Sequence, residues 1–367
     1  MEDELLAAIV AAPDDDAPRE AYAAWLHERG DPRAEIITAG LRAAKDPSLW
    51  READAALAPH RATWYPAPEG LSIVQFERGF PSQVYGRGSA FIAGAEAFYR
   101  TAPATTLYLE ATNDELARIA TMPELRFIRR FELVCKGEEA VRIVTGSPHL
   151  RPGSLRVGRA HLTSTAVAPI LDAGWPLREL ILPTNPLGDA ALRELVERAP
   201  PLELLDLGAC HLTSAVDALF ASDFVTRLRA LVLDENPLRG AFGSLEASTR
   251  AFRLETLKLA GCALGDSDVE PLAGSPRLSG LVALDLSRNE VGTQERPRSR
   301  TRPGCSRCGT STCARTPSAM RAPPPSRRAR SAICGRSACR TTPSTSLAPP
   351  RRGPTGTAVS SERARWR

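Results

Sequence analysis

Residues 281–291 read Leu281-Val-Ala-Leu284-Asp-Leu286-Ser-Arg-Asn289-Glu-Val291, an apolar spacing closed by one asparagine. The spacing recurs upstream four times: Leu177/Leu180/Leu182/Asn185/Leu187, Leu202/Leu205/Leu207/Cys210/Leu212, Leu228/Leu231/Leu233/Asn236/Leu238 and Leu254/Leu257/Leu259/Cys262/Leu264. Successive Asn/Cys positions lie 25, 26, 26 and 27 residues apart. A fixed period of this length means one structural unit stacked on copies of itself, because a single unit cannot bury its apolar face alone. Weaker copies precede the clear ones. Leu107-x-Leu109, Ile128-x-x-Phe131-x-Leu133 and Leu155-x-Val157-x-x-Ala160-x-Leu162 fall in phase if units begin at 104, 128 and 152, which gives about eight strands through Val291.

The template L-x-x-L-x-L-x-x-N/C-x-L resembles the leucine-rich repeat. The fold class this implies is α/β: a ribonuclease-inhibitor-like solenoid with a small N-terminal helical and α+β cap, followed by a disordered C-terminal tail. Stretches such as Asp189-Ala-Ala-Leu192-Arg-Glu-Leu195-Val196, apolar at helical spacing, are expected to pack on the strand layer. Within each unit the leucines point inward. The Asn or Cys is expected to bond backbone groups that the sheet cannot satisfy.

The chain begins differently. Leu5, Leu6, Ile9 and Val10 sit at helical spacing, and Pro13-Asp-Asp-Asp16 ends that helix and starts another, with Asp16 as N-cap and Pro18 in the first turn. Tyr22, Trp25 and Leu26 make one face, Gly30 is a stop, and further helices are expected from Pro32 through Leu41 and over about 49–57. The elements Pro-Asp-Asp-Asp, Tyr22-Ala-Ala-Trp25-Leu and Glu-Arg-Gly30-Asp-Pro resemble the bacterial repeat-companion domain, a short helical module found beside repeats. Ala34-Glu35-Ile36 departs from its Gly-Glu-Phe. The resemblance implies no catalytic residues. Leu71 to Tyr85 reads as two strands around Arg78-Gly79, and Phe91 to Tyr99 as a helix with Phe91, Ala95 and Phe98 on one side. The organisation expected is therefore 1–45 companion helices, 46–103 a helix and hairpin cap, 104–292 repeats and 293–367 tail.

Composition changes sharply at Thr293. From there the chain holds 17 Arg, no Lys and two acids; this +15 and the −11 of the preceding residues make up the overall +4. The acidic body argues against a nucleic-acid footprint on it. Five of the eight cysteines also lie in the tail, leaving Cys135, Cys210 and Cys262 to be buried and reduced. No run of about 18 apolar residues and no basic secretory start is present, so the expectation is cytoplasmic.

Outward-facing strand positions are where a ligand would meet the sheet. On the expected concave face these include Asp206, Asp234 and Asp285 around Lys258, a possible partner-binding stripe whose plainer reading is a solvated sheet face. No catalytic, cofactor or metal residues are expected. Phosphate loops, a nucleophile elbow and a His-Glu-x-x-His helix are absent. The five histidines are scattered, with His161 and His211 sharing one repeat position. Trp25, Trp50, Trp64 and Trp175 are expected to fill the core or cap. The function expected is a non-enzymatic scaffold binding a protein partner. The alternative is an enzyme, or a regulator of one, acting through its N-terminal domain.

The tail admits three readings. One is a disordered basic segment with non-specific affinity for polyanions. A second is a metal site on Cys305-x-x-Cys308 with Cys334 and Cys339, which lacks the second CxxC or paired His of a zinc site. The third treats the tail as repeat-coding DNA translated one base out of register. A written Cys then stands for a codon ending TG, Ser for one ending TC, and Thr for one ending AC. Cys308-x-x-Ser311-x-Cys313-x-x-Thr316-x-Ser318 becomes L-x-x-L-x-L-x-x-N-x-I/L, and Cys334 to Ser344 becomes the same template 26 residues later. The first begins 27 residues after Leu281, so the phase continues and the register change is expected near Gln294 to Arg296.

Overall fold

The computed structural model describes residues 1–245 and 251–292; the expected disordered tail and its cysteines lie outside them. The chain opens with helices α1 (Glu2–Ala11), α2 (Ala17–His27), α3 (Arg33–Lys45), α4 (Trp50–Leu57) and α5 (Arg61–Trp64). The first three share a small core of Ile9, Tyr22, Ala23, Leu26, Ala34, Ile37 and Leu41, which Phe80 of the following hairpin completes. Gly30 lies at φ +66° after α2, where a side chain would be strained.

Two local expectations are corrected. Asp16 stands before α2 with helical backbone and makes no side-chain cap bond. Asp15 accepts from Ala17 N–H at 3.0 Å instead, and Asp16 Oδ1 faces Arg78 Nε at 2.9 Å, an ion pair outside hydrogen-bond angles. Trp50, expected inside, is 45% exposed, because it opens α4 on a helix whose one buried residue is Leu57. Trp175 is buried, and Trp25 lies half-buried against the helical core.

Strands β1 (Leu71–Glu77) and β2 (Phe80–Arg87) form an antiparallel hairpin. Arg78 and Gly79 both have positive φ, the two-residue turn whose twist matches its strands. Helix α6 (Gly88–Tyr99) follows, with Phe91, Ala95 and Phe98 buried. From β2 onward every pairing is parallel: β3 (Thr106–Glu110), β4 (Arg130–Val134), β5 (Ser154–Arg156), β6 (Glu179–Ile181), β7 (Leu204–Asp206), β8 (Ala230–Val232), β9 (Thr256–Lys258) and β10 (Ala283–Asp285). Spatial order equals sequence order, so each strand's neighbours are the preceding and following units.

Returning the chain to a parallel neighbour requires a crossover. These crossovers carry α7 (Asn113–Ile119), α8 (Glu138–Thr145), α9 (Val167–Asp172), α10 (Gly188–Arg198), α11 (Ala215–Ala221) and α12 (Asp266–Gly274), and among the described residues a 3-10 turn (Gly243–Leu245) lies between β8 and β9. Leu192 and Leu195 of α10 and Val216, Leu219 and Phe220 of α11 are fully buried with the strand leucines in one continuous core.

The turn after each strand shows why Asn or Cys occupies its position. Asn236, fully buried, accepts through Oδ1 from Cys210 N–H (3.0 Å) and Leu212 N–H (2.9 Å) of the unit before it. Its Nδ2 donates to the carbonyls of Leu207, Leu233 and Asp234. Asn185 and Asn289 repeat this pattern on their own preceding units. The cysteines supply only a donor to the same place in the preceding unit: Cys210 Sγ donates to Leu182 O at 3.1 Å and Cys262 Sγ to Leu233 O at 3.2 Å. Where Ala or Cys takes the position, the next residue turns left-handed, as at His161, His211 and Ala263; after Asn185 and Asn236 a proline stands there instead. His161 and His211 are thereby set on the exposed surface of these turns.

Candidate functional site

Side chains alternate along a strand, so the residue between two inward leucines faces away from the core. The pairing register carries that position across nine strands as one row: Tyr85, Tyr108, Glu132, Arg156, Ile181, Asp206, Val232, Lys258 and Asp285. At about 4.8 Å between strands the row is about 38 Å long.

Of the four residues expected to form a stripe, Asp206, Lys258 and Asp285 lie in this row, with Val232 between the first two. Val232 is only 7% exposed although it belongs to the outward face. Asp234 stands two residues on, past the end of β8, where Oδ1 accepts from Ala260 N–H at 2.7 Å. Two of the row's acids bond the turn just past their own strands: Asp206 Oδ1 accepts from Gly208 N–H and Asp285 Oδ1 from Ser287 N–H, both at 2.9 Å.

Electrostatics divide the three carboxyls. Burial pushes Asp206 above the ordinary carboxyl value, and the Asp234 charge adds to it, against the Gly208 bond, Arg156 and Lys258. Burial also raises Asp234, with Asp285 adding to it, against the Ala260 bond, Lys258 and Arg288. Burial alone would raise Asp285 as well, but the Ser287 bonds, Lys258 and Arg288 outweigh it and leave that carboxyl below its usual value.

The other end of the row escaped the sequence reading. Tyr85 and Tyr108 rings lie 5.1 Å apart, Tyr85 Oη donates to Glu110 Oε2 at 3.1 Å, and Arg156 Nε stands 3.4 Å from Glu132 Oε1. Tyr108 and Arg156 carried a usable signal, since each sits between two inward residues of a degenerate copy. Tyr85 carried none, because only the parallel pairing of β2 with β3 brings the hairpin into the row. Among the described residues no three of His, Cys, Asp and Glu stand close enough to hold a metal ion. No described helix is long and apolar enough to cross a membrane.

These features define the class of protein: an α/β repeat protein with a leucine-rich-repeat-like fold. No family model matches the chain. A stretch of 126 residues is 37% identical to the ribonuclease inhibitor of Sus scrofa, covering 32% of this chain and 28% of that protein. The chain thus spans less than a third of that relative's length. A solved structure, that of the Rad7 and Elc1 complex in yeast, covers 54% of this chain and 66% of its own at 16% identity and a TM-score of 0.32, too low to add to the fold read from the sheet.

Proposed function

We propose that this chain is a non-enzymatic scaffold, a leucine-rich-repeat solenoid that binds a protein partner through the face carrying the row from Tyr85 to Asp285. The observation that carries the reading is the row itself: nine strands present one outward side chain each, in register, over about 38 Å. That length suits a protein surface better than a small molecule, which takes an enclosed concave pocket. Paired tyrosines at one end and charged residues at the other give the mixture of rigid aromatic anchors and polar contacts that protein interfaces favour. The partly similar ribonuclease inhibitor is by name a protein that acts on another protein, which agrees with this reading.

The helices before β1 serve in this proposal as a companion module and cap, covering the first unit's end. A reducing cytoplasm fits the three buried free thiols of Cys135, Cys210 and Cys262. The test is affinity capture with the full chain, in parallel with a variant carrying Lys258→Glu and Asp285→Lys. A stoichiometric protein recovered by the native face and lost on reversal is the expected result. Equal recovery by both, or substrate turnover by residues 1–103 alone, would overturn it.

A further inference from the structure

Each clear unit hands a backbone N–H to the next at the same place: Leu182 to Asp206 O, Leu207 to Val232 O, Leu233 to Lys258 O and Leu259 to Asp285 O, all at 2.9 Å. A second series runs Thr184 to Gly208 O, Ala209 to Asp234 O, Glu235 to Ala260 O and Gly261 to Ser287 O. The next donors in the two series are Leu286 and Arg288, and among the described residues no strand lies beyond β10. Packing stops at the same place. Leu254, Leu257 and Leu259 are 0% exposed, whereas Leu281, Leu284 and Leu286 are only partly buried and Val291 is 41% exposed. An edge whose next donors meet no strand among the described residues, and whose leucines are half-covered, is what a stacked repeat normally covers with its successor.

We propose that this edge is the stacking site for a further repeat of the same protein. That repeat is encoded beneath residues 308–318 in the frame one base earlier than the one translated, and another beneath residues 334–344. The genetic code makes the assignment restrictive. Shifted by one base, any Cys codon yields Leu, Met or Val, a TCN serine codon yields only Leu, Ile, Val or Phe, and a Thr codon yields only Asn, Asp, His or Tyr. Cys308, Ser311, Cys313, Thr316 and Ser318 therefore place apolar residues and a turn residue at the template positions of Leu281, Leu284, Leu286, Asn289 and Val291. The second set, Cys334, Ser337, Cys339, Thr342 and Ser344, does so again. Their starts, 27 and 26 residues on, keep the body's period. In this frame Cys308 to Arg321 can be encoded as LRHLDLRANAIGDA, to be compared with Leu281-Val-Ala-Leu284-Asp-Leu286-Ser-Arg-Asn289. A second copy of the chain is the weaker occupant, since a two-fold axis at this edge would pair β10 with itself antiparallel in an otherwise parallel stack. The inference is independent of what the sheet face binds.

The coding DNA beneath residues 290–350 tests it directly. Expected are TCN codons at Ser311, Ser318, Ser337 and Ser344, AAC in the earlier frame at Thr316 and Thr342, and no stop in that frame beyond Arg296. Serine codons of the AGC or AGT type at those four positions, or a stop in the earlier frame, overturn the proposal. The stacking claim is read separately, by amide exchange on the full chain in the written frame and in the one-base-corrected frame. Leu286 N–H is expected to exchange at least about tenfold more slowly in the corrected chain. Equal protection in both, or protection in the written chain that grows with protein concentration, assigns the edge to another occupant and overturns the claim.

Discussion

At the residue scale the turn asparagine has the largest expected effect. Asn236 serves two N–H groups and three carbonyls in a site without water access, so Asn236→Ala leaves several buried backbone groups unpaired. A loss of roughly 3–5 kcal/mol is expected. Asn289 makes equivalent bonds but is only partly buried, so water replaces some of them and Asn289→Ala should cost less. Urea unfolding of both variants checks this, and equal losses would show that burial does not set the cost.

Charged residues on the two sides of the sheet should respond to pH with opposite signs. Asp189, on α10, accepts from the N–H and hydroxyl of Thr213 and from Ala215 N–H in the next unit. Burial alone would raise its carboxyl, but these bonds and Arg193 hold it below the ordinary value. Its stabilisation is therefore present above the unfolded value of about 4 and lost as pH falls through the folded one. Asp189→Ala should cost about 1–3 kcal/mol at pH 7, a gap that narrows on acidification. Asp206 is shifted upward, so its ionised form opposes folding once pH rises through its folded value. Asp206→Asn keeps an acceptor for Gly208 N–H and should stabilise the protein at pH 7 by on the order of 1 kcal/mol, the gain vanishing in acid. Thermal melts from pH 7 to pH 3 read both effects, and shifts of the same sign would refute the assignment.

At the scale of elements, the helical segment is joined to the sheet by close backbone contact. A Cβ at Gly40 on α3 would collide with the backbone N of Gly79 in the hairpin turn, and one at Gly79 would come within 2.9 Å of Ile37 Cα. Phe80, the next residue, is buried in the helical core beside Tyr22 and Tyr65. Gly40→Ala is therefore expected to push the turn off α3 and cost about 1–3 kcal/mol. Faster proteolysis within residues 1–65 at unchanged protection of β3 to β9 would report it. A variant as resistant as the native chain would mean that the contact relaxes freely.

Over the whole molecule, the free cysteines report on the integrity of the stack. Burial pushes the thiols of Cys135, Cys210 and Cys262 up to about 11, so at pH 8 they stay protonated and shielded. Iodoacetamide followed by peptide mass mapping should leave all three unmodified in the folded protein and modify all three in urea. Rapid native labelling of Cys210 would mean that the middle of the repeat stack opens.

The periodic leucines alone gave the parallel order of units, because a spacing of about 26 residues returns each strand to the side of its predecessor and inward leucines demand a continuous core. They also gave the turn position, since Asn at a fixed offset from a strand has one structural use, to bond the backbone that leaves the sheet. Long-range pairing was not legible. The sequence does not show that β2 of the hairpin joins the repeats in parallel, and that pairing is what brings Tyr85 beside Tyr108 in the row. Nor does it show that Asp16 turns to Arg78 or that Trp50 is left 45% exposed. Periodicity encodes the contacts a unit makes with its own kind. Only the tertiary structure decides where elements outside the repeat meet it, because those contacts depend on the shapes and charges of surfaces far apart in the chain.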